Sequence, residues 1–213
     1  MAFIPVGHRP IAYIDTETTG LVASTHEVID VAVVFDREVA ERFRIPHLTF
    51  PEGKDYAYYA SKVKPERLDV AEPIALKVNG YTDEAWASAP TAASVVQVLQ
   101  VILKDVVCCG HNVGFDTEFI QTMVKRTGSN FRMDYHKLDT VATAHSRLIP
   151  AGLEKLSLDT IRDFLGWPKD GGHAALKDAL DARSLYKLLS NDIPVVPRDA
   201  WIKKSSELGY PTS

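Results

Sequence analysis

The sequence predicts an α/β fold in which a mixed sheet, an antiparallel meander plus parallel strands, is flanked by helices. Short apolar runs follow one another closely in residues 11–50, which is typical of a meander. Helical and strand patterns then alternate, which is typical of parallel strands joined by helices. The length of 213 residues suits one domain. We therefore expect a domain over residues 1–191 and an extended, proline-containing C-terminal tail over 192–213, anchored by Trp201.

The strands of the meander are expected at residues 11–15, 28–35 and 42–50. Pro46 places the third at a sheet edge, because proline cannot donate a hydrogen bond to a neighbouring strand. Another buried strand is expected at 106–109, where Cys108 and Cys109 are adjacent. Neighbouring cysteines at the end of an apolar strand are typical of small core residues, so we expect no disulfide framework.

The helical segments share apolar residues spaced three or four apart, and they lie at residues 75–79, 92–103, 115–124, 140–148, 156–165 and 174–190. Thr91, after a proline, is the start signal of the second segment. Asp139 is placed to cap the fourth, and Gly166 ends the fifth. Asp116 then lies in the first turn of the third helix, directly after a buried strand.

Two carboxylates, Asp15 and Glu17, follow the first apolar run one residue apart. A strand puts residues i and i+2 on the same side, so both acids leave the strand end in one direction. At ~4 Å, two like charges repel by ~1 kcal/mol in bulk water and by several times more where water is partly excluded. A hard divalent cation would remove that repulsion, so the pair indicates a metal site.

Two later motifs supply further acids. The segment 108–116 ends in His-Asn-Val-Gly-Phe-Asp at Asp116, and His173-Ala-Ala-Leu-Lys-Asp-Ala carries Asp178 five residues after the histidine. In this order, Asp-x-Glu, His-Asn-x-x-Phe-Asp and His-x-Ala-x-x-Asp-Ala resemble the three motifs of the DEDDh (DnaQ-like) family of 3′ to 5′ exonucleases. Asn79, followed by glycine, is similar to the family's His/Asn-Gly turn. The resemblance covers residues 9–191 and implies a ribonuclease H-like fold.

The resemblance implies a two-metal site that takes Mg²⁺ or Mn²⁺, two ions per site. It implies that Asp15, Glu17 and Asp178 hold the ion that binds the attacking water. Asp15 would also bridge to the second ion, which Asp116 would hold directly or through water. His173 would be the general base, because an imidazole titrates near neutral pH.

The 3′ end of the substrate is expected to lie against the turn after the first strand. Backbone amides of residues 16–21 and the Thr16 hydroxyl are expected to bind the terminal 3′ hydroxyl. Leu21 and Phe115 would either stack on terminal bases or pack at the rim, and Asn112 would orient Asp116 or a phosphate. The expected substrate-binding residues are Thr16, Thr18, Gly20, Leu21, Asn79, Asn112 and Phe115.

The formal net charge of −4 argues against the broad basic surface of a nonspecific duplex binder. It does not argue against a nuclease, because bound metal would offset the acids of the site. Residues 1–10 lack a basic region followed by an apolar core, and no stretch approaches 18 apolar residues. We expect a cytoplasmic protein that is neither secreted nor membrane-spanning.

Three further features have a structural and a functional interpretation. His111 is expected to be a hydrogen-bonded structural histidine, and Asp181, three residues after the last motif acid, a surface acid. The segment 54–67 interleaves three tyrosines with lysines and an arginine. A solvated connection with packed tyrosines is favoured for it, and a loop that binds a single strand is the alternative.

The sequence thus predicts a metal-dependent exonuclease that releases nucleoside monophosphates from the 3′ end of single-stranded DNA, with proofreading beside a DNA polymerase as its leading role. An exoribonuclease that trims RNA 3′ ends, similar to ribonuclease T or oligoribonuclease, is the first alternative. Thr18, where oligoribonucleases usually carry Met, argues against the latter. A catalytically silent nuclease-like binding module is a second alternative, which the retained acids and histidine disfavour.

Overall fold

The computed structural model describes residues 5–169, 174–190 and 196–209. The strands in these ranges are β1 Ile11–Thr18, β2 Val28–Asp36, β3 Tyr56–Lys62, β4 Val107–Gly110 and β5 Lys137–Asp139. They form one sheet in the order β3-β2-β1-β4-β5. β1 and β2 pair antiparallel, as do β2 and β3, whereas β1 with β4 and β4 with β5 are parallel. The prediction of an α/β fold with a mixed sheet is confirmed.

The helices connect and cover the strands. They are α1 Arg37–Phe43, α2 Pro73–Val78, α3 Asp83–Trp86, α4 Ala92–Ile102, α5 Val113–Arg126, α6 Thr140–Leu148, α7 Leu158–Leu165, α8 Ala175–Leu189 and α9 Arg198–Glu207. The Asp139 side chain caps α6 by accepting from the Val141 amide, and Gly166 ends α7 in the left-handed conformation, as expected. Within the described ranges, no helix is long and apolar enough to cross a membrane.

The central strand β1 is buried on both faces. Ala12 and Ile14 belong to the main apolar core, which also includes residues of α4 and α5. Tyr13 points to the opposite face and packs with Ala175 and Ala179 of α8. A strand covered on both sides needs a nearly continuous apolar run, which is why residues 11–14 have that pattern. Because side chains alternate along a strand, Asp15 and Glu17 lie on the opposite face of β1 from Thr16, the residue between them.

The expected third strand at 42–50 is wrong. Residues 37–43 form α1, and Arg44 follows it in the left-handed conformation with φ 51°, which interrupts an extended path. Within 42–50, Thr49 makes an isolated bridge to Tyr58. The third strand is instead β3, which pairs with β2 from Asp36 to Asp30 without a break. β2 pairs with the longer ladder, so residues 56–62 of the segment 54–67 form an edge strand and not a solvated loop.

The C-terminal tail is helical where it is described, and the expected extended arm is wrong for residues 198–207. Trp201 is fully buried among α7 and α8 residues, which confirms its expected role as the anchor. Ser205, one turn later, is also buried and accepts a hydrogen bond from the Trp167 indole. Two buried residues four apart favour a helix here, despite the prolines around it. The short strand β5 was also not expected from the sequence.

Candidate active site

Asp15 and Glu17 lie on β1 beyond the last residue that pairs with β4. The parallel register joins Tyr13 to Cys109 and β4 ends at Gly110, so residues 15–18 extend past the end of β4, shortly before α5 begins. Because side chains alternate along a strand, both acids face the side of Tyr13 and α8, and Thr16 faces α5. The strand end therefore lies between the first turns of two helices.

Each of these helices presents a carboxylate from its first turn to the end of β1. Asp178 belongs to the first turn of α8, and one oxygen each of Asp15, Glu17 and Asp178 lie within 4.8 Å of one another. Asp116 belongs to the first turn of α5 and is buried. Its Oδ1 accepts hydrogen bonds from the Thr16 amide at 2.9 Å and from the Thr16 hydroxyl at 2.8 Å. The structure thus brings together all four acids that the sequence motifs single out.

Burial and mutual repulsion make these acids costly to ionise. Burial, then the charges of Asp178, Asp30 and Asp116, raise the pKa of Glu17 to about 7. Burial raises the pKa of Asp116 to about 7, although the hydrogen bonds from Thr16 lower it. Burial and the neighbouring acids, Asp116 first, hold the pKa of Asp15 well above its usual range.

The donor set of this cluster fits a hard divalent cation. Converging carboxylate oxygens are the ligands that Mg²⁺ and Mn²⁺ prefer, and a bound cation would replace repulsion by attraction. The two cysteines are buried at β4, and burial raises the pKa of the Cys108 thiol to about 12, so they offer no thiolate ligand here.

His111 is confirmed as a hydrogen-bonded structural histidine. Its Nδ1 lies 2.9 Å from the Thr140 hydroxyl and its Nε2 lies 2.6 Å from the Leu156 carbonyl oxygen. Burial lowers the pKa of its imidazole. The ring ties the end of β4 to the start of α6 and to the segment before α7. Its hydrogen bonds therefore position α7 relative to the acids.

The turn after β1 is held in place by its own hydrogen bonds. The Thr18 hydroxyl donates to the Gly20 carbonyl at 2.7 Å, and the Asn79 side-chain amide donates to the Thr18 carbonyl at 2.9 Å. A Cβ atom on Gly20 would lie 2.6 Å from the His26 ring, so glycine is needed for this close approach. Leu21 is 74% exposed at the tip. Thr18, Gly20 and Asn79 shape the turn that presents Leu21.

Asn112 and Phe115 lie at the start of α5. Asn112 is an exposed residue in the left-handed conformation, and its backbone amide donates to Asp139 at 3.1 Å. The Asp116 carboxylate accepts hydrogen bonds from Thr16. That Asn112 orients Asp116 or a phosphate stays a prediction. Phe115 packs on Phe119 with ring centroids 4.6 Å apart, which fits the rim-packing alternative.

His173 lies outside the described residues, so its role as a base remains a prediction. Asp181, expected to be a surface acid, instead accepts from buried Arg162 at 2.8 Å and from Lys177 at 3.0 Å. Sequence reasoning missed Arg162, although α7 contains a signal for it. Arg162 lies next to Ile161 and three residues before Leu165, so this charge interrupts the buried stripe of the helix.

Comparison with known proteins gives the family. A family model described as an exonuclease, of the RNase T type, matches residues 12–186. The epsilon subunit of DNA polymerase III from Aquifex aeolicus is 32% identical over 178 residues, which are 83% of this chain and 78% of that protein. The same subunit from Pasteurella multocida is 31% identical over 180 residues, which are 81% and 65% of the two chains.

Solved structures share the fold at lower identity. Escherichia coli exonuclease I in complex with a dT13 oligonucleotide aligns with a TM-score of 0.67 and 19% identity over 86% of this chain. Exonuclease I from Methylocaldum szegediense aligns with a TM-score of 0.61 and 20% identity over 84%. This chain spans about two fifths of the length of those structures, 41% and 40%.

The mixed five-stranded sheet is a fold shared with solved exonucleases, a class of hydrolases. The family match covers most of the chain, and the polymerase subunits agree with it. The chain belongs to the DEDDh (DnaQ-like) exonuclease family.

Proposed function

We propose that this protein is a divalent-metal-dependent 3′ to 5′ exonuclease that releases nucleoside monophosphates from single-stranded DNA. The observation that carries the proposal is the convergence of Asp15, Glu17 and Asp178, whose oxygens lie within 4.8 Å of one another. Like charges this close, partly withdrawn from water, are stable only with a cation or with bound protons. Burial and the neighbouring acids raise the pKa of Glu17, as expected for clustered carboxylates in the protein without metal.

In the proposed site, Asp15, Glu17, Asp116 and Asp178 hold two Mg²⁺ or Mn²⁺ ions. Bound there, the ions would activate water and offset the charge on the phosphate and on the leaving 3′ oxygen. The protein itself contributes the position of each acid. Thr16 holds the Asp116 carboxylate with two hydrogen bonds to one oxygen, which restrains its rotation. His173 is proposed to take the proton of the attacking water, as its motif implies.

The substrate end is proposed to lie against the turn after β1. Leu21 is presented by a turn that Asn79 and the Thr18–Gly20 hydrogen bond stiffen, so it can contact a terminal base without large ordering cost. Phe115 lies at the start of α5 and is half-buried. A stacking contact of the Phe115 ring with a terminal base would tolerate any sequence, because every base has a π face. These contacts suit removal of nucleotides from an end.

DNA is the proposed nucleic acid, and proofreading beside a polymerase the proposed role. Support comes from the relatives: four of the seven curated matches are named as epsilon subunits of DNA polymerase III. Solved structures of the same fold include exonuclease I in complex with single-stranded DNA and with dA16 and dT13 oligonucleotides. Trimming of RNA 3′ ends is the second candidate, which the RNase T type of the family model favours.

The test uses end-labelled single-stranded DNA, duplex DNA and single-stranded RNA of one sequence, each with Mg²⁺, with Mn²⁺ and with excess chelator. We expect stepwise shortening from the 3′ end, fastest on single-stranded DNA, and none with chelator. Asp15→Asn protein purified in parallel controls for contaminating nucleases. Faster cleavage of RNA would replace the DNA proposal by RNA trimming. Shortening that persists in chelator would contradict the metal site, and no cleavage of any substrate would favour a binding module.

A further inference from the structure

A buried guanidinium adjoins the acid cluster. Arg162 of α7 is 5% exposed and lies between α7 and α8. Its Nη2 donates to Asp178 Oδ1 at 2.6 Å, and its Nε donates to Asp181 Oδ2 at 2.8 Å. Its Nη1 donates to Asp159 at 2.7 Å, but the Asp159 side chain is 57% exposed. An exposed pair within one helix contributes little, so the two acids of α8 are the important partners.

Burial of the Arg162 guanidinium is unfavourable unless the acids beside it pair with it. A charge withdrawn from water is tolerated only when it is paired and hydrogen-bonded. Asp178 and Asp181 are three residues apart on α8, hence on the same side of that helix, and the planar guanidinium reaches both. The first turn of α8 is thereby tied to α7. This turn carries the acid that completes the cluster with Asp15 and Glu17.

We propose that Arg162 is a positioning residue, which holds the carboxylate of Asp178 toward Asp15 and Glu17 and so prepares the site for a divalent cation. This inference rests on the proposed function, because it concerns the same site. Hydrogen-bond partners of metal-binding carboxylates fix ligand orientation, and their loss typically weakens metal affinity about 10- to 100-fold. Arg162 is such a hydrogen-bond partner, because its Nη2 donates to the Asp178 carboxylate.

Two effects of the guanidinium oppose each other. Its positive charge repels an incoming dication, and its hydrogen bonds keep Asp178 in position. The charge is offset by carboxylate oxygens at 2.6 and 2.8 Å, so the repulsion that reaches the site is reduced. Without the guanidinium, Asp178 and Asp181 would repel each other across one turn of α8, and Asp178 would lose the hydrogen bond from Nη2 that orients it. The loss of position therefore exceeds the relief of repulsion.

Arg183 provides a matched control. It is also on α8, is 4% exposed, and pairs with two acids, Asp36 and Asp55. Asp36 ends β2 and Asp55 precedes β3, at the other end of β2 from the acid cluster. Arg183→Met and Arg162→Met each remove a buried guanidinium that bridges two carboxylates. The guanidinium of Arg162 contacts a proposed metal ligand, Asp178, and that of Arg183 pairs with acids outside the proposed site.

The experiment measures the Mn²⁺ dissociation constant of the full-length, metal-free protein by calorimetry, and its melting temperature without metal. We expect both variants to melt lower than the parent. Arg162→Met should raise the Mn²⁺ dissociation constant about 10- to 100-fold, whereas Arg183→Met should change it less than about threefold. An Arg162→Met affinity within about threefold of the parent, or tighter, overturns the inference.

A further variant covers the case in which Arg162→Met does not fold. Arg162→Lys keeps the charge but cannot span both acids with a fixed fork, so it should bind Mn²⁺ more weakly than the parent and more tightly than Arg162→Met. Parental affinity in Arg162→Lys, with Arg162→Met unfolded, overturns the inference. Failure of the proposed function is distinguishable, because the parent itself would then neither bind Mn²⁺ nor shorten DNA.

Discussion

Thr16 and Asp116 are joined by two hydrogen bonds to one oxygen, Asp116 Oδ1, from the Thr16 amide and the Thr16 hydroxyl. The pair connects β1 to the first turn of α5 across 100 residues of sequence. Asp15 and Glu17 point to the opposite side of β1, toward α8. β1 therefore holds Asp116 through Thr16 and itself contributes Asp15 and Glu17. This makes β1 the element that aligns the whole cluster.

Thr16→Val tests this link. The valine keeps the branched shape but removes the hydroxyl donor, and a hydrogen bond to a charged group is worth about 1.5–3 kcal/mol. The Asp116 pKa should rise above about 7, because one of the groups that lower it is gone. We expect metal-free Thr16→Val to lose more unfolding free energy at about pH 8 than at about pH 6, since Asp116 is ionised at the higher pH. Denaturant unfolding at the two pH values measures this.

Thr117→Val is the control for that measurement. The Thr117 hydroxyl is buried beside Asp116 in sequence, but it donates to the carbonyls of Val113 and Gly114 in its own helix. Its loss should cost stability equally at both pH values. Equal pH dependence in the Thr16 and Thr117 variants would contradict the importance of the Thr16–Asp116 link.

Asp15→Asn should lose nearly all exonuclease turnover while keeping the fold, because a neutral amide would not replace a carboxylate ligand at the proposed two-metal site. The same change removes a negative charge that is repelled by Asp116, Asp178 and Glu17. Metal-free Asp15→Asn should therefore melt at least as high as the metal-free parent. A gel assay measures the turnover and a thermal melt measures the stability. Retained turnover, or a melting temperature clearly below that of the parent, would argue against the proposed metal site.

His173→Ala separates proton transfer from metal binding. If His173 is the base, the rate should fall by about 10² to 10⁴ while the Mn²⁺ dissociation constant stays close to that of the parent. Asp178→Asn should instead raise that constant. Single-turnover rates and calorimetry on both variants give the comparison. A parental rate in His173→Ala would assign the proton transfer to another group.

The sequence was most informative where local pattern and function coincide. Residues 11–17 predict both a buried strand and the direction of Asp15 and Glu17, because strand alternation is a local property. The first-turn position of Asp116 follows similarly from the helical spacing after it. These features need no knowledge of distant partners.

Features that depend on tertiary partners were mispredicted or missed. β3 is a strand because β2 offers it an unbroken ladder, and neither segment alone shows this. Asp181 resembles a surface acid until α7 brings Arg162 against it. The helix at 198–207 forms around Trp201, whose buried surroundings come from α7 and α8. Tertiary packing overrides local preference in each case.

Lys62 and Lys64 of the segment 54–67 have different surroundings. An extended loop would let Lys62 and Lys64 follow two phosphates, but Lys62 donates to the Ala85 carbonyl at 3.0 Å and lies 3.8 Å from the Trp86 ring centroid. Lys62→Gln should therefore cost about 0.5–1 kcal/mol of stability and leave DNA affinity unchanged. Lys64 is exposed, and among the described residues its side chain has no ion pair or hydrogen bond.

Lys64→Gln is therefore the variant expected to act on DNA. It should flatten the slope of log affinity for single-stranded DNA against log salt by about 0.7, and leave the melting temperature unchanged. Salt titrations and thermal melts of both single variants make the comparison. A flatter slope for Lys62→Gln, with parental stability, would support the alternative in which both lysines contact the single strand.

The stability of the metal-free protein should fall as pH rises through the range in which its acid cluster ionises. The pKa of Glu17 is raised from 4.5 to about 7 and that of Asp116 from 3.8 to about 7, so the folded state binds protons that the unfolded state releases. Stability from these groups is fully present below their unfolded pKa values and is lost as pH approaches about 7. Asp55 and Asp134, whose pKa values are lowered, have the opposite effect, but only below their usual range.

A melt series from about pH 5 to about pH 8 covers the ionisation of the acid cluster. His111, whose lowered pKa gives the opposite dependence, is common to the parent and to Asp15→Asn, so the difference between the two isolates the acids. Without metal, we expect the melting temperature to fall across this window. With saturating Mg²⁺ it should be higher at about pH 8 and nearly independent of pH, because the cation takes the place of the protons. Asp15→Asn should show a shallower fall without metal, since one of the repelling charges is absent. A metal-free melting temperature that rises over this range would mean that the acids are not under the repulsion on which the proposed metal site depends.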